Sequence, residues 1–379
     1  LRAGAVLALA GFAVSPLVAQ TATPATAKSA TKPQLGSFGV DLTAMDTSVA
    51  PGDDFYRYVN GKWQDRTEIP ADRATWGGFA ILRDLSDQRT RSIVEDAAKA
   101  QNASGTVAEK IGVAYATFMD EAAIEAKGAA PLKPYLDAIA AISTPRDVAQ
   151  AFALANRRGL GMPIGLGVQQ NFADNTQYAV YAGQGGLGMP DRDYYLKDDA
   201  KSVDIRAKYM AHITKMLTLG GVADPEGAAK RIFDLELAIA KVHWTRAEMR
   251  QIEKLFNPMP IPALSAKMPG FDWATMLAET GVASQPFVIV AHPSALTGIA
   301  KIVGATPVAT IREYLALKTI RSAAPLLSKA FADESFAFNG TVLTGTPQIK
   351  DRWKRGVDLV NGSMGEAVGQ VYVERYFPP

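Results

Sequence analysis

Apolar residues that recur every three or four positions dominate this chain after Leu82, and this spacing restricts the fold more than any other feature. One series comprises Val107, Ile111, Ala114, Phe118 and Ala122. Another comprises Ile232, Leu235, Ile239 and Val242. Because an α-helix has about 3.6 residues per turn, each series lies on one helical face. We therefore predict a body built mainly from helices that each bury one face.

Residue types at segment boundaries predict where three further helices begin. Thr144 followed by Pro145 is typical of a helix start, since threonine caps and proline fits the first turn. Thr306 and Pro307 predict in the same way a helix over 307–332. The last helix is predicted over 350–376, with an apolar stripe that comprises Trp353, Val357, Val360, Met364, Val368 and Val371.

Four glycines interrupt the last predicted helix, at Gly356, Gly362, Gly365 and Gly369. Glycine lowers helix propensity, so its use here requires another reason. We interpret these glycines as positions where another element approaches closely.

Strand signals are few. Residues 164–170 and 177–182 are predicted to pair as a hairpin around 173–175, and 287–291 is a third short strand. Residues 183–200 are rich in Gly and Asp and predict an ordered loop. No fixed-period repeat is present, which argues against a solenoid. The predicted fold class is mainly α, a large multi-helix domain with a minor β-hairpin.

The first nineteen residues, LRAGAVLALAGFAVSPLVA, predict a secretory signal peptide, because a basic flank precedes a short apolar run. An uncleaved membrane anchor is the alternative. Residues 20–37 predict a flexible linker, and 38–379 the folded domain. We expect an exported protein, periplasmic or secreted, without stable membrane insertion after cleavage of the signal.

The composition excludes several classes of chemistry. The 379 residues contain no cysteine, which excludes thiol nucleophiles, disulfides and thiolate metal sites. Forty basic residues against 38 acidic ones give a net charge of +2, which argues against a nucleic-acid partner. Because the sequence has no cysteine for disulfides, the stability of the fold must come from packing.

The three histidines are His212, His243 and His292. None has the H-x-x-x-H spacing that presents two imidazoles to one metal from one helix. We interpret each as a buried or capping residue; a metal site assembled from all three stays open in principle but has no support in the spacing.

Acidic pairs occur at 53–54, 191/193 and 198–199. A glycosidase needs two carboxylates at a fixed separation, whereas Asp53 and Asp54 before Phe55 more simply cap a helix. A serine hydrolase elbow, G-x-S-x-G, is missing, and the glycines of 183–188 give only a weak phosphate signal. An aromatic group suggests either a carbohydrate platform or, preferably, core packing; it comprises Phe55, Tyr56, Tyr58, Trp63 and Trp76.

Several collinear segments together resemble the neprilysin family of zinc metallopeptidases. They are DTSVAPGDDFYRYVNGKW at 46–63, IPADRATWGGFAILRD at 69–84, GMPDRDYYL at 188–196, HWTRAEMR at 243–250 with NPM at 257–259, and RWKR at 352–355 with VNGSMGEAVG at 360–369 and VYVERYF at 371–377. The resemblance runs from about Phe38 to the last residue and indicates a bacterial-type member.

The resemblance implies that the chain corresponds to the large, mainly helical, non-zinc domain that encloses a substrate chamber. Family members hold zinc with the two histidines of H-E-x-x-H and a downstream glutamate, and none of these is present in this sequence. We therefore assign no catalytic, cofactor-binding or metal-binding residue. Zinc is expected in the full-length enzyme and none is expected to bind this chain.

Two departures from the animal members concern individual positions. Thr75 stands where they carry an arginine that helps to hold the carboxyl end of a peptide, just before the aromatic matched by Trp76. Gly52, Asn60 and Gly356 stand where they carry cysteines. The resemblance thus leaves that specificity element in doubt and implies a fold without those disulfides.

The leading hypothesis is the N-terminal portion of an exported zinc-dependent metalloendopeptidase that cleaves oligopeptides. Its partners would be peptide substrates and a C-terminal catalytic domain, and this chain alone is predicted to be inactive. The alternative is a stand-alone helical peptide-binding module without catalysis. A weaker alternative is a carbohydrate-binding protein that uses the aromatic group.

Overall fold

The computed structural model describes residues 41–377, so the predicted signal peptide over 1–19 and linker over 20–37 lie outside the described residues. Two compact units are present. The first contains residues 41–67 together with 373–377, and the second contains residues 68–372.

Helices make up most of the described chain. The α-helices are α1 Phe55–Arg66, α2 Gly78–Lys99, α3 Val107–Met119, α4 Glu121–Lys127, α5 Lys133–Ala140, α6 Pro145–Arg157, α7 Asp193–Leu196, α8 Ala200–Leu219, α9 Pro225–Val242, α10 Ile252–Leu255, α11 Leu264–Lys267, α12 Trp273–Glu279, α13 Pro293–Ala305, α14 Val308–Ala323, α15 Lys329–Phe336 and α16 Arg352–Tyr376. Shorter turns are the 3₁₀ segments Leu42–Ala44, Ala130–Leu132, Glu248–Arg250, Ile261–Ala263 and Ala324–Leu326 and the π-helical turn Ala337–Val342. The predicted mainly helical class is confirmed.

A small sheet accompanies the helices in the second unit. Its strands are β1 Ile164–Asn171, β2 Asp174–Gln184, β3 Pro258–Pro260 and β4 Phe287–Val290, arranged in the order β1-β2-β4-β3. The predicted hairpin is confirmed as the antiparallel β1–β2 pair, although both strands are longer than predicted. The third predicted strand, β4, lies parallel to β2. Sequence reasoning missed β3 because two prolines bound its three residues, which is tolerated only at a sheet edge.

The first unit is organised by an N-terminal helix cap and an ion-pair group. The Asp54 side chain accepts a hydrogen bond from the backbone N–H of Arg57 at 2.8 Å, which confirms the predicted capping role. The Arg57 guanidinium in turn contacts Asp65 at 2.7 Å and Asp46 at 3.3 Å. Gly61 is buried against Asp46, and only glycine fits there, because an added Cβ would lie 2.6 Å from Cβ of Asp46.

The predicted core packing of the aromatic group is wrong for its first two members. Phe55 is 67% exposed and Tyr56 is 62% exposed, so neither contributes to a core. Their positions at the start of α1 place them beside the exposed cap Asp54. The remaining members are half-buried: Tyr58, Trp63 and Trp76.

The main core of the second unit is formed by one continuous cluster of buried side chains around α8, α9 and α14. Tyr209, Ile213, Ile239, Tyr314 and Leu317 are among its fully covered members. The helical periodicity that predicted α9 from Ile232 onward therefore reflects real burial against neighbouring helices.

A second cluster joins α16 to α2 and α3. Val357, Val360 and Val368 of the predicted stripe are buried against Val94 and Ile111. Trp353, Met364 and Val371 are half-buried. Three of the six stripe residues are thus buried within this chain and the other three are partly covered.

Helix α16 bends inside its length. Met364 has φ −139° and ψ 34°, outside the helical region. It is flanked by Gly362 and Gly365, and glycine pairs are a common cause of sharp helix kinks. The predicted helix is confirmed, but it is not a straight rod.

Two predicted boundaries need correction. The single helix predicted over 307–332 is divided, because Pro325 lacks an N–H for the helical ladder and α14 gives way to a 3₁₀ turn there. Thr306 ends α13 instead of capping α14, since its hydroxyl donates to the carbonyl of Ile302 at 2.7 Å. The capping box of Thr144 with Asp147, by contrast, starts α6 as predicted.

Only one of the four glycines of α16 serves the predicted close approach. An added Cβ at Gly356 would lie 2.7 Å from the ring of Tyr115, whereas Gly362, Gly365 and Gly369 have nothing within 4 Å. The closest helix–helix approach instead involves Gly112 of α3, where an added Cβ would overlap the carbonyl oxygen of Ala97 and lie 2.9 Å from the backbone nitrogen of Ala98.

Within residues 41–377, no single helix is long and apolar enough to cross a bilayer. The pair Pro293–Ala305 and Val308–Leu326 has the required length and composition only when taken together, and it is bent by 115°.

We predict that Gly112→Ala lowers the free energy of unfolding by about 2–3 kcal/mol, because the added methyl group must push α2 and α3 apart. The matched control is Gly362→Ala, at an exposed and open helical position, which should be neutral or gain about 0.5–1 kcal/mol from helix propensity. Urea denaturation followed by circular dichroism measures both. Equal effects of the two substitutions would contradict the close packing of α2 against α3.

Candidate functional site

The glycine-rich loop that links β2 to α7 is held by hydrogen bonds from several elements. It runs from Gly185 through Arg192, within the segment predicted as an ordered loop. The loop does not continue to 200 as predicted, because α7 begins at Asp193.

Glu236 of α9 lies beneath this loop and is completely buried. Its Oε2 accepts hydrogen bonds from the hydroxyls of Tyr195 and Tyr209, each at 2.7 Å. Its Oε1 has no hydrogen-bond partner among the described residues. A buried carboxylate is costly unless it is hydrogen-bonded, so the two tyrosines are needed to retain it.

Tyr195 connects the carboxylate to the loop backbone. Its hydroxyl oxygen accepts hydrogen bonds from the N–H groups of Gly188 and Met189, both at 3.0 Å. The same hydroxyl donates a hydrogen bond to Glu236. Two of the N–H groups that a phosphate would need are therefore already used within the protein. The weak phosphate signal of 183–188 has no support at these positions.

Helix α14 binds the carbonyl side of the same loop. Tyr314 donates to the carbonyl of Gly186 at 2.6 Å, Lys318 to that of Leu187 at 3.2 Å, and Arg321 to that of Gly188 at 3.0 Å. The three side chains are four and three residues apart and thus share one helical face. One face of α14 thus donates hydrogen bonds to three consecutive carbonyls of the loop.

Gly188 is required by the packing at this point. A Cβ here would overlap the hydroxyl of Tyr209 and lie 2.6 Å from Nη1 of Arg321. No other residue leaves room for the tyrosine and the guanidinium to meet the backbone together.

Burial changes the acid–base properties of the side chains around the loop. It raises the pKa of Tyr209 and Tyr314 well above the ordinary range, and the charge of Glu236 adds to the effect. Burial lowers the pKa of Lys318 to about 8, against a smaller opposing influence of Glu236. The tyrosines therefore stay protonated donors at neutral pH.

All three histidines are buried, as predicted, and they lie singly in hydrogen-bonded positions. His292, at the N-terminus of α13, accepts from the backbone N–H of Gln184 at 3.2 Å through Nδ1. His243, at the C-terminal end of α9, forms a hydrogen bond with the backbone of Gly185. His212 pairs with Glu334 at 2.8 Å.

A zinc ion needs at least three protein ligands brought together. Within residues 41–377 no group of three or more His, Cys, Asp or Glu side chains is arranged to hold a metal ion. The described side chains therefore do not fit zinc, and we derive no chemical step through it for this chain.

A large groove of about 1340 Å³ lies in the second unit between α3, α4, α5, α6, α14 and α16. Its wall is mostly apolar and includes Ile139, Leu154 and Leu315, and Leu154 is 43% exposed there. Charged side chains also line it, among them Lys127 and Asp147. Such a lining suits a ligand that carries both apolar and polar groups.

A smaller cavity of about 240 Å³, which we call the annex, adjoins this groove. Leu160 and Ser322 line both spaces. The annex is also lined by Lys318, Arg321 and Asn339, the last of which lies in the π-helical turn Ala337–Val342. The loop that Glu236 anchors thus forms part of a charged recess beside an apolar groove.

The other predicted candidates are placed as follows. Asp191 contacts Arg246 at 2.6 Å and accepts from the backbone N–H of Asp193, and Asp199 caps α8 by accepting from Ser202 at 3.0 Å. These aspartates are structural, which agrees with the preference for capping over a glycosidase pair. Thr75 is exposed and Trp76 is half-buried.

Sequence reasoning missed Glu236, Lys318 and Arg321. A usable signal existed for Glu236, which lies four residues after Ile232 and next to Leu235 on the buried side of α9. An ionisable residue at such a position predicts a buried polar contact. The partners of Glu236 come from distant segments and could not be named.

Residues 51–379 match the family described as peptidase family M13. The chain is 25% identical to Neprilysin-3 of Drosophila melanogaster over 361 residues, which cover 89% of this chain and 45% of that protein. It is 25% identical to human membrane metallo-endopeptidase-like 1, covering 89% of this chain and 46% of that protein. The chain spans about half the length of the curated relatives it matches.

Solved structures give a corresponding result. The inhibitor complex of Mycobacterium tuberculosis zinc metalloprotease Zmp1 aligns with a TM-score of 0.84 at 36% identity, covering 89% of this chain and 52% of that one. PepO from Lactobacillus rhamnosis aligns with a TM-score of 0.73 at 18% identity, which is a likeness of fold; the match covers 87% of this chain and 52% of that one.

We predict that Tyr195→Phe lowers the free energy of unfolding by about 2–3 kcal/mol, because it leaves two buried N–H groups without an acceptor and removes one donor to Glu236. The amides of Gly188 and Met189 should also exchange faster with deuterium. Tyr178→Phe is the control, since Tyr178 is 78% exposed and its loss should change stability by less than about 0.5 kcal/mol. Unchanged exchange at Gly188 in the Tyr195 variant would contradict this role.

A second prediction concerns pH. Burial lowers the pKa of His243 to about 4, so between pH 6.5 and 4 the unfolded chain binds a proton that the folded chain excludes. Stability should therefore fall over that interval by about 3 kcal/mol through this residue. Denaturation measured from pH 7 to 4 should show a smaller loss for His243→Asn, and the remaining slope reports other groups, including His212 and His292, whose pKa values burial also lowers. Parallel curves for the two proteins would contradict it.

Proposed function

Because the chain belongs to peptidase family M13, we propose that it is the N-terminal region of an exported, zinc-dependent metalloendopeptidase that cleaves oligopeptides. The observation that carries the proposal is the family match over residues 51–379. The 36% identity with a mycobacterial zinc metalloprotease of the same fold supports it.

In this proposal the helical unit forms one wall of a substrate-enclosing chamber. The groove supports this role, since its apolar lining and charged residues such as Lys127, Asp147 and Glu279 match an extended peptide. A chamber wall needs a rigid frame, and the loop anchored by Glu236 together with the core of α8, α9 and α14 supplies one.

Zinc and its activated water would come from a C-terminal catalytic domain that this chain has as a partner. Zinc polarises a peptide carbonyl and activates water in such enzymes. The residues described in this chain would bind and enclose peptide and would not carry out the hydrolysis. We accordingly propose that residues 38–379 act as the enclosing domain and are inactive alone.

Export is part of the same proposal. The apolar run at 1–19 has the composition of a signal peptide and 20–37 that of a linker. Periplasmic or secreted location follows if the signal is cleaved, and membrane anchoring if it is not.

A stand-alone peptide-binding module is the second candidate, and one observation favours it. Val357, Val360 and Val368 of α16 are covered within the chain, so this stripe does not require a partner domain to be buried. The groove is likewise built from this chain alone.

Peptide hydrolysis by two proteins distinguishes these candidates. We expect the product of the complete coding sequence to cleave a quenched fluorescent peptide and to lose that activity with a chelator, with recovery on adding zinc. The 379-residue chain should show no chelator-sensitive cleavage.

The peptidase proposal fails if the complete product shows no zinc-dependent cleavage, or if this chain alone binds stoichiometric zinc and cleaves peptides. A coding sequence with no in-frame H-E-x-x-H after position 379 would favour the binding module.

A further inference from the structure

The annex beside the groove contains two cations without a direct counter-ion. Neither Lys318 nor Arg321 is within 4 Å of a carboxylate oxygen from the described residues. Their contacts are neutral: the carbonyls of Leu187 and Gly188, the hydroxyl of Tyr209 and the amide oxygen of Asn339 at 3.4 Å from Arg321. The side chains are half-buried, so solvent compensates their charges only in part.

Charge counting supports an anionic occupant. The charge of Glu236 acts on Lys318, but Glu236 makes no direct ion pair with it. The Oε2 atom of Glu236 accepts hydrogen bonds from Tyr195 and Tyr209 instead. Two cations against one carboxylate leave a positive recess. A half-buried site with uncompensated positive charge favours binding of an anion.

Donors remain available for such an anion. Lys318 carries three N–H donors and uses one on Leu187, and the guanidinium of Arg321 carries five. Gly159 and Gly161 in the annex wall have nothing within 4 Å of the position that a Cβ would take, so they leave space at the backbone.

Three observations together, the positive charge, the backbone carbonyls and the shared wall with the apolar groove, identify the ligand class. We propose that Lys318 and Arg321 bind the C-terminal carboxylate of a peptide whose preceding side chains lie in the groove. The carbonyls of Leu187 and Gly188 each have a second lone pair, which suits the N–H that precedes a terminal carboxylate. A side-chain carboxylate lies at least one carbon further from the N–H of its own residue, so it fits this pairing of donor and carboxylate less well. Leu160 and Ser322 line both cavities, so the annex and the groove share part of their wall.

This inference rests on the proposed peptide substrates and names the end of the peptide that is recognised. Lys318 and Arg321 are binding residues in this role.

The test uses the full 379-residue chain and three N-acetylated probes measured by calorimetry. They are Ac-Ala-Ala-Leu-Leu with a free carboxylate, the same peptide as its amide, and Ac-Ala-Ala-Leu-Asp as its amide. We expect the free acid to bind at least about tenfold more tightly than either amide, the difference that charge-assisted hydrogen bonds provide.

Substitutions test whether the preference for the free acid over the amides arises in the annex. Lys318→Met should reduce the preference for the free acid to less than about twofold, while Lys127→Met, a cation of the groove outside the annex, should keep it. Leu154→Asn should weaken acid and amide alike. Arg321→Lys retains the charge and tests whether the fork geometry of Arg321 matters, since Arg321→Met also removes the bonds to Gly188 and Tyr209.

Three results would overturn the inference: equal affinity of the wild-type chain for acid and amide, no binding of either, or an unchanged preference in a folded Lys318→Met chain. Tight binding of the aspartyl amide would overturn the assignment to the peptide terminus. If the product of the complete coding sequence shows no zinc-dependent cleavage, the peptidase proposal is contradicted. A measured preference of this chain for the free carboxylate would still hold in that case.

Discussion

The buried carboxylate of Glu236 is the constraint on which the surroundings of the loop depend. It has no exposed surface, so the two tyrosines that donate to it must come close from separate places in the sequence. Tyr195 connects the carboxylate to the loop, Tyr209 connects it to α8, and the carboxylate itself belongs to α9. The face of α14 then matches three loop carbonyls in order. A single costly charge thereby fixes the relation of three helices to one glycine-rich segment.

That fixed loop determines the chemistry of the neighbouring surface. Because Gly188 admits both Tyr209 and Arg321 at the backbone, the guanidinium is held in the annex wall and not in a salt bridge. The apolar groove and the positive annex share Leu160 and Ser322, so two kinds of recognition are adjacent on one unit. A rigid frame, an apolar groove and a localised charge would suit the peptide binding that we propose for this unit.

Agreement between sequence and structure varies with the range of the interaction. The capping box of Thr144 was predictable because its two partners are three residues apart. The single helix predicted over 307–332 is divided between Ala323 and Lys329, since Pro325 ends the ladder of α14 despite a continuing apolar pattern. The core packing expected of Phe55 and Tyr56 was wrong because an aromatic residue near a helix start has no neighbour dictated by sequence alone. Local rules held where their partners were local.

The sequence by itself determined the helical class, the antiparallel hairpin, the capping aspartates and the family, because periodicity, caps and collinear segments are properties of neighbouring residues. Tertiary structure alone decided which ionisable residues matter. Glu236, Lys318 and Arg321 look ordinary in the sequence, and they form one site only after α9 and α14 have packed on the loop. The physical reason is that their burial and hydrogen bonding depend on segments between 27 and 133 residues apart, whose approach is set by packing of the whole unit.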